Sequence, residues 1–306
     1  MIYNPRTLFI ISVILAVFIT VCFVLQPTGQ DGKTHVYMLN IGQGDSFLIV
    51  AADGKKLLID GGRDTTILSE LAKVMPINDR TIDVMIATHP DADHIGGLQY
   101  VLQRYQVKLF LTSQVLTDTK TFTALYQELY RQHTPSYYVR HGMVLTLDTV
   151  HPATFTVLFP DRDTTNWITN PASVVGRLDV YSNGAAGPEP VEGSGGMKRS
   201  VLFTGDSISS VEHFLVQAEP QNLPSDILKL GHHGSKYSSS TEYLQAVAPV
   251  LGLISAGINN KYGHPNGETL GRLQTLHIPW ISTQQKGTVE LTTDGLAQWR
   301  WYSVGN

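Results

Sequence analysis

Residues 86–97, Ile-Ala-Thr-His-Pro-Asp-Ala-Asp-His-Ile-Gly-Gly, constrain this chain more than any other stretch. Ahead of the histidines, Thr81–Thr88 reads as a short buried strand. Behind them, Gly97–Gln106 carries apolar residues at helical spacing (Leu98, Val101, Leu102, Tyr105). His89, Asp91, Asp93 and His94 therefore share one turn between a strand and a helix. Carboxylates this close repel and desolvate one another. Either the turn is solvated or positive charge sits beside it, and a divalent metal is the economical source because His and Asp are common ligands.

The same placement recurs along the chain. The strand Lys56–Ile59 ends at Asp60-Gly-Gly, where Asp60 reads either as a turn residue or as a carboxylate at a strand's C-terminal edge. Val201-Leu-Phe-Thr-Gly-Asp206 runs into the helix Ile208–Ala218, which Asp206 could simply cap. A strand starting at Asp226 runs into His232 and His233, flanked by glycines, and strand alternation would turn only one of the two inward. His264 follows in Lys-Tyr-Gly-His-Pro. In a layered α/β fold such positions converge on one rim, and separate bland explanations for all five become improbable together. His133, His141 and His151 have no carboxylate cluster around them and read as surface or structural residues.

Helical and strand patterns alternate along nearly the whole length: strands at His35–Leu39, Ser46–Val50, Val107–Leu111, Ser173–Tyr181 and Val250–Ser255, and helices at Leu68–Val74, Thr121–Gln132, Thr241–Ala248 and Glu268–Leu276. That alternation favours one α/β domain. The glycines around Gln43 mark a turn where the backbone closely approaches something. Asn183–Gly196 has the composition of a disordered insert and reads as an exposed excursion without function. A net charge of −4 gives no global attraction for nucleic acid, which counts against a sequence-independent DNA-binding module but not against a metal-dependent enzyme.

Leu8–Leu25 is an apolar run without a formal charge, long enough to cross a bilayer. Arg6 ahead of it suggests that the N-terminus stays inside and the body is exported. No A-x-A-like site follows, so the run reads as an uncleaved single-pass anchor, with residues 1–33 as anchor and linker and 34–306 as the extracytoplasmic body. The one cysteine, Cys22, lies in this run, so no disulfide forms within the chain.

The succession Asp60-Gly-Gly, His89-x-Asp-x-Asp-His-x-Gly-Gly97, Thr204-Gly-Asp206, Gly231-His-His-Gly-Ser235 and Gly263-His-Pro265 resembles the metallo-β-lactamase fold. Together with Ile41-Gly-Gln-Gly-Asp45 and Leu228-Lys-Leu-Gly-His-His-Gly-Ser235, it resembles the hydrolase domain of ComEC-type competence proteins over about residues 34–303. The resemblance implies an α/β fold, a four-layer αββα sandwich with a metal site at one edge, here preceded by one transmembrane helix. It also implies one or two divalent ions, zinc or manganese. Asp93, His94 and His264 would hold one, His89 and Asp91 the other, and Asp206 would bridge them. Asp60 would orient ligands from beneath, and His232 or His233 would be the catalytic histidine that protonates the leaving oxygen. Asp91 stands where the superfamily more often has His, and a further histidine usual before Asp206 has no match. Both departures favour manganese over zinc at that position, or leave it weakly occupied.

The implied reaction is phosphodiester hydrolysis of single-stranded DNA outside the membrane by a metal-activated hydroxide. Lys236 and Lys261 are candidate phosphate contacts and Tyr237 and Tyr262 candidate base-stacking residues, against the plainer reading of all four as solvated loop side chains. With one possible span, the chain cannot by itself move DNA through a membrane: it reads as a stand-alone exported nuclease, as one working beside a separate DNA-uptake channel protein, or as an enzyme that has taken another substrate. The competing readings are a metal-dependent hydrolase of another phosphodiester, ester or lactone, and a non-catalytic anchored interaction domain. Idle buried charges without metal speak against the last.

Overall fold

A computed structural model of the chain describes residues 31–182 and 197–305. The predicted anchor Leu8–Leu25 and the insert Asn183–Gly196 lie outside the described residues. Among the described residues, no helix is long and apolar enough to cross a membrane.

Two sheets form the centre. One has eight strands in the order Arg300–Ser303, Val289–Thr293, Thr34–Met38, Phe47–Val50, Lys56–Ile59, Val84–Ala87, Phe110–Thr112, Ser136–Tyr138. The other has seven, in the order Trp280–Ser282, Leu251–Ile254, Ile227–Lys229, Lys198–Phe203, Val175–Tyr181, Ala153–Phe159, Val144–Asp148. Period-two alternation divides their side chains between three cores. Val36, Met38, Leu57, Ile59, Ile86, Val201, Phe203 and Ile227 fill the space between the sheets, where Phe47 meets Phe203 edge-on with ring centres 5.3 Å apart. The alternate residues Leu48, Leu58 and Met85 turn outward onto the helices Thr66–Val74, Leu98–Arg104 and Lys120–Gln132 through Ile67, Leu71, Val101, Leu102, Leu125 and Leu129. Leu202, Leu228 and Ile254 do the same on the far side against Ser209–Ala218, Thr241–Val247 and Gly267–Thr275. The four layers are thus helices, sheet, sheet, helices.

The predicted strand Thr81–Thr88 divides into Thr81–Ile82 and Val84–Ala87. Asp83 causes the break: its carboxylate accepts from the Lys56 backbone N–H (2.8 Å) and from Lys108 Nζ (2.7 Å), so the chain jogs at that residue. Val107–Leu111 likewise separates into Gln106–Val107 and Phe110–Thr112.

In each sheet the strands that carry the predicted polar residues are the parallel ones. Their carboxyl ends lie at one rim of the sandwich, the place where open α/β sheets build sites. The sheets are stitched there: the Val174 N–H donates to the Thr88 carbonyl (2.9 Å) and Ser255 Oγ to the Gly44 carbonyl (2.7 Å).

Candidate metal centre

Three first-sheet loops support the site by backbone contact. The Asp45 N–H reaches the Asp93 carbonyl (3.3 Å), the Gly61 N–H the His94 carbonyl (2.7 Å), and the Gly97 N–H the Gly62 carbonyl (2.9 Å). Gly44 is where side-chain-free backbone is required: its φ is +128°, and a Cβ there would stand 2.0 Å from the Asp93 carbonyl oxygen. Gly44→Ala is therefore expected to cost at least about 1–3 kcal/mol and to push the Asp91–His94 turn away from the rim. A lowered denaturant midpoint checks this, and an unchanged midpoint would show that the loop contact carries no weight.

Asp60 is fully buried and lies at φ 57°. Its carboxylate accepts from the Thr88 N–H (2.8 Å), Thr88 Oγ1 (2.7 Å) and His94 Nδ1 (2.7 Å). Holding Nδ1 in this way turns His94 Nε2 toward Asp206 Oδ1, 3.3 Å away. His89 packs on His94 with ring centres 4.1 Å apart, and its Nδ1 lies within hydrogen-bond reach of Thr88 Oγ1 (3.0 Å) and Ser173 Oγ (3.2 Å). Ser173 Oγ in turn accepts from the Asp206 N–H (3.1 Å). Asp91 lies on the open side, with Oδ2 3.6 Å from His89 Nε2.

The second sheet supplies Asp206 at the centre. Its Oδ2 lies 3.3 Å from His233 Nε2 and 3.6 Å from His232 Nε2. Strand alternation does not apply to this histidine pair, because both are in the left-handed region (φ 50° and 55°) and so both turn toward Asp206. The expectation that only one faces inward is corrected. The two still differ: His233 is buried, with Nδ1 held by the Ser255 carbonyl (3.0 Å), whereas the His232 side chain is 26% exposed and lies against Asn170. Asp93 Oδ2 lies 3.7 Å from His233 Nε2, and the His264 ring packs edge-on to His232 at 5.4 Å.

Burial alone would strip charge from this cluster, but its members hold each other ionised. Burial opposes protonation of His94 and His233, yet the carboxylates of Asp206 with Asp60, and of Asp206 with Asp45, outweigh it. His94 is held well above the usual imidazole range and His233 is pushed up to about 9. Burial also works against the Asp206 carboxylate, and those two imidazoles overcome it, holding Asp206 well below the usual carboxylate range. His264 goes the other way: burial, then His233 and His232, lower it to about 4, leaving a neutral imidazole.

The residues fit a metal. His89 Nε2, His94 Nε2, His233 Nε2, His264 Nδ1 and Asp206 Oδ1 are buried polar atoms without a hydrogen-bond partner, an arrangement costly to leave unsatisfied. Ligand atoms of Asp45, His94, Asp206 and His233 lie within 4.8 Å of one another, close enough to hold one metal ion together. Of these, the sequence marks His94 and Asp206 as ligands and His233 as a catalytic candidate. His89, Asp93 and His264 stand around this group, Asp91 farther out. The sequence assigns no role to Asp45 or to Lys229, which contacts it; the signal for a buried charge is the lone lysine inside Ile227-Leu-Lys-Leu230. His133 ends the helix Lys120–Gln132 in the left-handed conformation and His141 pairs with Glu219 (2.7 Å), both outside the site as expected.

A rim of His and Asp side chains between two helix-flanked sheets defines the class. The model of the metallo-beta-lactamase superfamily matches residues 39–257, and the chain belongs to that superfamily, as a hydrolase with a candidate divalent-metal site. Within it, the chain is similar to ComEC-type competence proteins. It is 30% identical over 285 residues to ComE operon protein 3 of Bacillus subtilis (strain 168), covering 88% of this chain and 34% of that protein. It is 28% identical over 267 residues to competence protein ComA of Neisseria gonorrhoeae, covering 85% of this chain and 32% of that protein. A shorter match, 30% identical over 91 residues, is to exodeoxyribonuclease YycJ of Bacillus anthracis, covering 30% of this chain and 32% of that protein. The chain spans about a third of the length of the two competence relatives.

Proposed function

We propose that the chain hydrolyses phosphodiester bonds of single-stranded DNA, using one or two divalent ions, manganese or zinc. The observation that carries this is the convergence of the unpartnered His94 and His233 Nε2 atoms on Asp206, with the unpartnered His89 Nε2 on the ring packed against His94. His94, Asp206 and His233 are the inner ligands in this reading, with Asp93, His264, His89 and Asp91 completing the coordination of one or two ions. A divalent ion held there supplies Lewis-acid polarisation of the phosphoryl group and lowers the pKa of a water.

The protein's part is orientation. Asp60 fixes His94, Thr88 and Ser173 fix His89, and the Ser255 carbonyl fixes His233, each through Nδ1, so that Nε2 is presented. His232, partly exposed and beside Asp206, is the imidazole that meets the leaving oxygen. Outside it, Tyr262 stacks on His264 at 5.7 Å with Lys261 Nζ 5.1 Å over the Tyr262 ring, and Lys236 covers Tyr237 in the same manner at 5.2 Å. A cation beside an exposed aromatic face suits a phosphate and an unpaired base. The similarity to competence proteins and to an exodeoxyribonuclease supports DNA as substrate. The same reading has Leu8–Leu25 anchoring the domain outside the membrane beside a separate DNA-uptake channel.

Metal-stripped full-length chain, tested against end-labelled single-stranded DNA, duplex DNA, bis(4-nitrophenyl) phosphate and a lactone, separates the readings. Added manganese or zinc is expected to restore hydrolysis with kcat/KM at least about tenfold higher for single-stranded DNA than for the others. Preference for the small diester or the lactone would overturn the DNA reading and leave the hydrolase reading standing, in keeping with the net charge of −4.

A further inference from the structure

Lys229 lies in the strand Ile227–Lys229 with 1% exposure, a place where a lysine survives only if its charge is met. Its ammonium forms a close ion pair with Asp45 Oδ2, donates to the Gly205 carbonyl (2.6 Å) and stands 3.6 Å from Asp206 Oδ1. Asp45, 2% exposed, has its Oδ1, an oxygen without a hydrogen-bond partner, 3.2 Å from His233 Nδ1. The sequence offers no need for a cation here apart from the carboxylates themselves.

We propose that Lys229 is the resident cation of the centre: it occupies Asp45, withholding that carboxylate from the metal, and fixes the Gly205-Asp206 turn that presents Asp206. Asp45 then stands behind His233, whose Nδ1 the Ser255 carbonyl holds, and the metal is held by the remaining members of the group. This inference rests on the metal reading above. Its physical content is electrostatic. A positive charge this close to the ligand set weakens binding of a divalent ion, and its carboxylate partner offsets that effect.

The test is a double-mutant cycle read by calorimetric titration of metal-stripped protein with manganese or zinc, without any substrate. Lys229→Met, which frees Asp45 to attract the ion, is expected to bind at least about tenfold more tightly or to take up one further ion per chain. Asp45→Asn, which leaves the ammonium unopposed, is expected to bind at least about tenfold more weakly. The Asp45→Asn/Lys229→Met double variant, losing both charges, is expected to return to within about threefold of wild type. Lys229→Arg keeps the charge and is expected to follow wild type. Should Lys229→Met not fold, the double variant carries the test, since it buries no unpaired charge. Weak binding in the double variant would identify Asp45 as a metal ligand and overturn the proposal, as would folded single variants that bind like wild type. A wild type that binds no divalent ion would overturn the metal reading itself, which is a different result from metal-binding wild type with indifferent variants.

Discussion

Replacing Asp206 with alanine is expected to lower kcat/KM for phosphodiester hydrolysis by at least about 10³-fold. This corresponds to losing roughly 4 kcal/mol from a group whose partners are left buried and uncompensated. No other side chain here reaches so many of the others: His94 and His233 at 3.3 Å, His232 and Lys229 at 3.6 Å. Its place is set by second-sheet backbone and by Ser173, and it belongs to none of the three hydrophobic cores, so the sandwich is expected to survive the change. Far-ultraviolet circular dichroism checks the fold and steady-state kinetics the loss. Turnover near the wild-type value in a folded Asp206→Ala variant would remove the metal mechanism.

Stability and metal binding are expected to depend on pH in opposite senses. In the metal-free protein, His233 titrates at about 9 against an ordinary 6.5, and His94 is displaced in the same direction. Groups whose folded pKa is raised contribute stability that is fully present below the unfolded value and lost as pH rises through the folded one. The stripped protein should therefore lose stability from about pH 6.5 to about pH 9. Metal must displace those protons, because it needs the same imidazole nitrogens deprotonated. Its affinity should rise over that interval, by up to about tenfold per pH unit for each proton displaced. The gap in Tm between loaded and stripped protein should widen with pH. Titrations in two buffers of different ionisation enthalpy would count the released protons; a buffer-independent heat at pH 7 would contradict the assignment of protonated His94 and His233 to the metal-free state.

Much of this centre is legible in the sequence because the chain repeats one device, a buried strand that ends in a short polar turn. Asp60, the His89–His94 turn, Asp206, the His232/His233 pair and His264 all announce themselves in that way, and the parallel order of their strands brings them to one rim. Other contributors carry no such mark. Thr88, Ser173 and Ser255 act through hydroxyls and backbone groups, and only the three-dimensional approach of two sheets gives them a role. Asp45 sits in Gly-Gln-Gly-Asp, where the glycines explain the turn and hide the carboxylate. The inward turn of both His232 and His233 depends on left-handed backbone, for which the flanking Gly231 and Gly234 are the only local hint. The jog at Asp83 arises from partners distant in sequence, Lys56 and Lys108, and has no local periodicity to betray it.

The most direct measurement is the metal content of the full-length chain, purified without chelator and compared with Asp206→Ala prepared in parallel, by inductively coupled plasma mass spectrometry. One or two equivalents of manganese or zinc in the wild type, falling to a small fraction in the variant, is the expected result. A folded wild type that carries no divalent ion and takes none up on dialysis against manganese or zinc would contradict the account at its centre.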